Sequence, residues 1–117
     1  ATANPLTAHF DITHGQAVGL MLPAVIRMNG SIHAEWYAEL MREVDPSVSV
    51  RDAPDRLAQM VVNWLREAGL ATSLDELSIP SSGIDTFVED ALKQWTGTFN
   101  PIPLDEDRAR GLYRSVA

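Results

Sequence analysis

The residues of this sequence that are best suited to chemistry are its three histidines, His9, His14 and His33. A neutral imidazole binds divalent metals and can also move a proton near neutral pH. His9 and His14 are five residues apart, which is not the i, i+4 spacing that places two ligands on one face of a helix. His33 lies beside Glu35 near a predicted helix start, where we expect it to be exposed. Taken alone, each histidine is more simply explained as an ordinary hydrogen-bonded side chain than as a ligand.

Other catalytic constellations are missing from the sequence. The chain has no cysteine, which excludes a thiolate nucleophile, a disulfide framework and a Cys-based zinc site. It has no glycine-rich strand–turn–helix motif for a dinucleotide and no nucleophile-elbow sequence around a serine. The carboxylates fall at predicted helix ends or on polar faces, where capping and solvation account for them. The residues by themselves therefore predict a helical domain without a complete active site.

Length, charge and composition indicate an ordinary globular protein with one domain, residues 1–117. The net charge is −7 and the lysines and arginines are scattered singly, so we expect no binding to nucleic acid. The longest apolar stretch, Ala17 to Ile26, is too short to span a membrane. No segment reads as a signal peptide. We therefore expect a cytoplasmic protein without a membrane partner.

The spacing of apolar residues predicts an all-α, bundle-like fold with about five helices and a short one. Pro23 predicts a kink in the first helix or marks a first helical turn, and Asn29-Gly30 predicts the end of that helix. Ser31, Asp52 and Asp105 are predicted N-caps, Ser73 and Glu76 have the spacing of a capping box, and Gly69 predicts a helix end. The segment before His14 is expected to be an irregular connection. The predicted helices cover about 14–28, 31–44, 53–68, 84–95 and 105 to the terminus.

Apolar stripes at helical spacing predict which helix faces form the core. The first predicted helix is apolar on nearly all sides, which is typical of a buried central helix. We expect the tryptophans to complete core faces as well. The predicted core positions are Ile32, Trp36, Leu40 and Val44 on the second helix, with Tyr37 and Met41 beside them, Leu57, Met60, Val61, Trp64, Leu65 and Ala68 on the third, and Ile84, Phe87, Val88, Ala91, Leu92 and Trp95 on the fourth.

The stretch from Asn4 to Gly15, which reads NPLTAHFDITHG, resembles the second signature of iron-containing (group III) alcohol dehydrogenases. In that signature a His-Gly pair precedes an apolar helix, a Leu-Pro pair and an asparagine. Later segments are similar too, so the resemblance spans nearly the whole chain. The matching residues are His14-Gly15, the helix Gln16 to Met21, Leu22-Pro23 and Asn29, followed by Tyr37 to Leu40, Ala68 to Leu70, Thr72 to Leu74, Asn100-Pro101 and Leu104 to Asp107.

The resemblance implies the C-terminal part of the helical, dehydroquinate synthase-like domain of a two-domain enzyme. Such enzymes interconvert small alcohols and aldehydes with NAD or NADP, which a separate domain mainly holds. They bind Fe²⁺, or sometimes Zn²⁺, through one Asp and three His, and the last of these falls on His14. The preceding metal histidine falls one residue before Ala1. We therefore expect a fragment with one of four ligands, inactive alone and holding metal weakly or not at all.

Two positions depart from the family pattern. Asn4 stands where many members have a histidine near the nicotinamide that is often assigned to proton relay. Because asparagine cannot titrate, a relay here needs another group, such as His9 or a water. Asn4 and His9 are therefore the candidate residues lining the active site, with Asn4 beside the cofactor. Thr7 replaces a usual glycine.

Two alternatives stay open at this point. One is a helical interaction or scaffold domain of unrelated origin, in which His14 is an ordinary packed histidine. The other is a relative of the glycerol dehydrogenase or dehydroquinate synthase group, which shares the architecture and usually binds zinc. If the chain is a fragment, the apolar helix from His14 to Met28 would lack its partner helices, so we expect the chain to self-associate through it.

Overall fold

The computed structural model describes all 117 residues, and they form helices without any β-strand, which confirms the predicted fold class. Three short 3₁₀ turns lie in the connections, at Asp75–Leu77, Ser81–Gly83 and Trp95–Phe99. None of the helices combines the length and the apolar character needed to cross a membrane. The five α-helices are α1 (Ala3–Phe10), α2 (His14–Met41), α3 (Ala53–Glu67), α4 (Ile84–Leu92) and α5 (Glu106–Ser115).

Helix α1 occupies the segment whose Asn-Pro start predicts an irregular connection, so that prediction was wrong. Pro5 lies in the first turn of the helix, where its missing N–H needs no partner. Leu6 is fully buried and anchors the helix in the core. The start of α1 is held by the buried hydroxyl of Tyr113, which donates to the backbone oxygen of Thr2 at 2.7 Å. Burial raises the pKa of Tyr113, which keeps this donor protonated.

The first two predicted helices correspond to the two halves of α2, which meet at a kink. The one non-helical residue of α2 is His33 (φ −110°, ψ 38°), so the kink lies there and not at Pro23. Asn29 does not end the helix, because it is buried and its amide exchanges two hydrogen bonds with Asn100, at 2.8 and 2.9 Å. The predictions of a stop at Asn29-Gly30 and of an N-cap at Ser31 were therefore wrong. Tertiary contacts outweigh the local stop signal here.

The predicted core stripe on the second half of α2 faces outward. Ile32, Trp36 and Leu40 are 67%, 58% and 57% exposed. The inner face of this half is formed by Ala38 and by Met41, which was predicted beside the stripe, and both form a small cluster with Val48 and Ala53. Periodicity located the apolar residues of the helix but could not say which side of it meets the rest of the chain. The same correction applies to Val44, Trp64, Leu92 and Trp95, which are also exposed.

The main core lies where α1, the first half of α2, α4 and α5 meet. Phe87 is at its centre, with its ring edge-on to Phe10 and tilted against Tyr113, each at a centroid distance of 5.6 Å. Helix α3 packs against α2 outside this cluster. The buried members are Ala3, Leu6, Ala17, Leu20, Met21, Ala24, Leu74, Ile79, Ile84, Phe87, Val88, Ala91, Ala109, Leu112, Tyr113 and Val116.

Several predicted helix ends are confirmed. Asp105 caps α5, since its carboxylate accepts from the backbone N–H of Arg108 at 2.8 Å. Gly69 adopts a left-handed φ of +69° after α3, as a C-terminal glycine should. Asp52 precedes α3 but makes no side-chain cap. Helix α4 ends at Leu92, three residues before the predicted end at position 95.

Candidate metal centre

His14 is the first residue of α2, and it is exposed to solvent. Thr13 precedes it with φ −51° and ψ 129°, so the chain turns sharply into the helix at this point. A Cβ atom added to the neighbouring Gly15 would meet no atom within 4 Å, so the space beside His14 is open. The imidazole is therefore carried on the rigid start of a long helix and points away from the packed core.

The ring of His14 makes one hydrogen bond within the chain, to Thr7 on α1. The distance from Thr7 Oγ1 to His14 Nδ1 is 3.4 Å, and Thr7 Oγ1 also lies 3.3 Å from the backbone oxygen of Ala3. The second ring nitrogen, Nε2, has no partner among the protein atoms. An imidazole with one nitrogen engaged and the other free is the usual arrangement of a metal-binding histidine.

The other two predicted site residues on α1 are bound to the end of α4. His9 donates from Nε2 to Asp90 at 2.8 Å, and its ring lies 6.3 Å from that of Phe87. Asn4 donates from its side-chain nitrogen to the side-chain oxygen of Gln94 at 2.7 Å. The structure therefore pairs both residues with partners near the C-terminal end of α4, and it hydrogen-bonds neither of them to His14.

Charge around His9 is dominated by Asp90. The hydrogen bond from His9 and a second one from Lys93 hold the pKa of Asp90 below its usual value. Lys93 lies 3.3 Å from Asp90 and 2.8 Å from Glu89, and these two carboxylates raise the pKa of Lys93. All of these groups are in contact with solvent, so the network contributes little to folding stability. The hydrogen bond to Asp90 orients the His9 ring and occupies its Nε2.

No three histidine, aspartate or glutamate side chains come close enough to hold a metal ion. His33 is not a partner for His14, because its ring stacks on Trp36 with centroids 4.1 Å apart. The donor chemistry of the chain thus fits one position of a metal site, the free Nε2 of His14.

A cleft of about 460 Å³ lies between α2, α3 and α5, away from every histidine. Arg27 and Arg108 reach into its rim, but each is paired with a carboxylate, Arg27 with Asp55 and Arg108 with Asp105. Because the chemistry-bearing residues and the cleft do not coincide, cavity size does not locate the functional site here.

Comparison with known proteins identifies this architecture. The chain superimposes on an alcohol dehydrogenase from Oenococcus oeni with a TM-score of 0.91 at 24% identity, over 99% of this chain and 31% of that one. This likeness shows that the chain has the fold of one part of that dehydrogenase. Residues 1–117 also match the model of the "Fe-containing alcohol dehydrogenase family, C-terminal". The chain belongs to this family.

Two curated relatives show how much of the family's length is covered. The 1,3-propanediol dehydrogenase of Klebsiella pneumoniae is 27% identical over 119 residues, which is 99% of this chain and 31% of the relative. The lactaldehyde reductase of Escherichia coli K12 is 26% identical over 102 residues, which is 85% of this chain and 27% of the relative. The chain therefore spans less than a third of the length of these relatives. Membership of the family contradicts the alternative of a scaffold domain of unrelated origin.

Proposed function

We propose that these residues form the C-terminal helical part of an NAD(P)-dependent alcohol dehydrogenase and contribute His14 to its catalytic metal site. The reaction of the whole enzyme is hydride transfer between a small alcohol or aldehyde and a nicotinamide. By themselves the 117 residues are inactive. The single observation that carries the proposal is the free Nε2 of His14, exposed at the start of α2 within a stretch that has the family's His-Gly signature.

The imidazole of His14 is a suitable metal ligand, but it does not identify the metal. Neutral imidazole suits Fe²⁺ and Zn²⁺ alike, so His14 does not choose between them. When bound, such a metal polarises the oxygen of the alcohol and lowers the barrier to hydride loss from the adjoining carbon. The task of this chain is to hold one ligand rigidly, which α2 does because its first turns are packed into the core through Ala17, Leu20 and Met21.

His9 and Asn4 are proposed as lining residues with different capacities. His9 can exchange a proton with solvent, and its bond to Asp90 orients the ring. Asn4 can only donate or accept hydrogen bonds, and its amide is tied to Gln94. A proton leaving the alcohol would therefore pass by way of His9 or a water rather than Asn4.

A graft tests the proposed function. Residues 1–117 replace the matching third of the Klebsiella pneumoniae 1,3-propanediol dehydrogenase, and NAD-linked oxidation of 1,3-propanediol is measured. We expect the folded graft to turn over the alcohol, while the chain of 117 residues alone, in the same assay, does not. Circular dichroism confirms that both are folded. Turnover by the chain alone would contradict the proposal, as would a folded graft that binds no metal.

We also propose that the chain on its own self-associates through α2. The first half of this helix is mostly packed into the core, but Val18 and Leu22 remain 42% and 39% exposed. Ile32 and Trp36 extend the exposed apolar surface along the second half. Because monomers rarely leave so many large apolar side chains on one element, a second copy is the occupant we expect.

Light scattering after size exclusion measures this association. We expect the chain to exceed its monomer mass of 12.8 kDa at high concentration and Trp36→Glu to move it towards the monomer. Trp95→Glu is the matched control, since Trp95 is 70% exposed but lies outside α2. A uniform monomer at high concentration would show that the proposed association does not occur.

A further inference from the structure

The hydroxyl of Thr7 has one proton and lies near two acceptors. Its oxygen is 3.3 Å from the backbone carbonyl of Ala3, one helical turn earlier, and 3.4 Å from Nδ1 of His14. A threonine inside a helix commonly donates to the carbonyl four residues before it. Once its proton is used in this way, the oxygen can act towards His14 only as an acceptor.

This arrangement has a consequence for the imidazole of His14. If the oxygen of Thr7 accepts at Nδ1, that nitrogen must carry the proton of the neutral ring. Nε2 then has a free lone pair, and no protein atom in the structure competes for it. In metal sites, the tautomer and orientation of a ligating histidine are set by the partner of its second nitrogen.

We propose that Thr7 is a positioning residue that selects the Nδ1–H tautomer of His14 and so presents Nε2 to a divalent metal ion. The inference rests on the proposed metal role of His14 and adds to it the residue that orients the ligand. It also gives α1 a part in the site, because Thr7 is carried on α1 and reaches across the turn to the first residue of α2. Hydrogen bonds at such sites are often long before a ligand binds and tighten on binding, so 3.4 Å is compatible with this role.

The tautomer is measured directly by long-range ¹H–¹⁵N NMR of the histidine rings in the 117-residue chain. In the neutral ring the two tautomers give different nitrogen shifts. We expect His14 to favour Nδ1–H in the unchanged chain and in Thr7→Ser, which keeps the hydroxyl. Thr7→Val keeps the branched shape but removes the acceptor, so its ratio of Nδ1–H to Nε2–H should fall about fivefold.

Thr13→Val is the matched control, because Thr13 adjoins His14 but its side chain makes no hydrogen bond there. It should leave the tautomer ratio of His14 unchanged. An equal ratio in Thr7→Val and the unchanged chain would overturn the inference. The inference would also be overturned if the tautomer ratio fell as far in Thr13→Val as in Thr7→Val. Both substitutions would then act through a general change in the turn between α1 and α2.

Titration of the metal-depleted graft with Zn²⁺ separates this inference from the proposed function, because the 117 residues alone are expected to hold metal weakly or not at all. We expect Zn²⁺ to shift Nε2 of His14 at lower concentrations in the graft than in its Thr7→Val variant, by about tenfold. If the tautomer depends on Thr7 but Zn²⁺ never shifts His14 in the folded graft, the ligand role of His14 is contradicted while the tautomer selection stands. If Zn²⁺ shifts His14 equally in both grafts, Thr7 is not the orienting residue and the ligand role is unaffected.

Discussion

Replacing Phe87 with alanine lowers the free energy of unfolding by about 3–5 kcal/mol. The ring of Phe87 is 1% exposed and contacts the rings of Phe10, His9 and Tyr113. Its loss removes apolar area from the main core and leaves a cavity that rigid neighbouring helices cannot close. Since a domain of this size is stable by only about 5–15 kcal/mol, the change removes a large part of its stability.

Urea denaturation followed by far-ultraviolet circular dichroism measures this loss. Leu92→Ala is the control, because Leu92 is on the same helix but 42% exposed, and it should cost less than about 1.5 kcal/mol. Phe87→Ala should also loosen α1, which carries Thr7 and His9, because the ring of Phe87 on α4 packs against rings of α1 and α5. Equal losses for Phe87→Ala and Leu92→Ala would show that Phe87 is not the centre of the core.

Replacing Gly30 with alanine destabilises the chain by about 1–3 kcal/mol, although alanine is the better helix former. A Cβ atom at position 30 would lie 2.5 Å from Cγ of Pro54 and closer still to its Cβ, far inside van der Waals contact. The proline ring cannot rotate away, so α3 must move off α2. The overlap therefore outweighs the gain of about 1 kcal/mol that alanine brings inside a helix.

Gly111→Ala is the matched control for this change. Gly111 also lies inside a helix, α5, but an added Cβ meets no atom within 4 Å. The control should raise the free energy of unfolding by about 0.5–1 kcal/mol, which is the opposite sign. If Gly30→Ala stabilised the chain as much as Gly111→Ala does, α2 and α3 would not be packed as closely as the structure has them.

Part of this fold was predictable because it depends on local signals. The cap of α5 at Asp105 and the glycine end of α3 at Gly69 follow from side-chain hydrogen bonding and backbone freedom, which the sequence shows directly. The orientation of α2 was not predictable. Ile32, Trp36 and Leu40 form a regular apolar stripe, but Ala38 and the neighbouring Met41 make the inner face. Which of two apolar faces is buried depends on the distant segment that packs there.

The candidate site also has a part that the sequence predicted and a part that it did not. His14 was located by the His-Gly signature, since its own type and spacing do not distinguish it from His9 or His33. The contact from Thr7 to His14 has no sequence signal, because it crosses the turn between α1 and α2, and α1 itself was predicted as a connection. Asn29 shows the reverse case: a residue expected to end a helix is used for a paired amide contact with Asn100.

The metal content of the graft tests the central claim most directly. Iron bound per chain is measured by elemental analysis in the folded graft, in its His14→Ala variant and in its His33→Ala variant. Because the loss of a ligand removes much of the affinity of a site, we predict near-stoichiometric iron in the graft and in His33→Ala and at least a tenfold loss in His14→Ala. Iron that stays bound in a folded His14→Ala graft, as tightly as in the other two, would contradict the account.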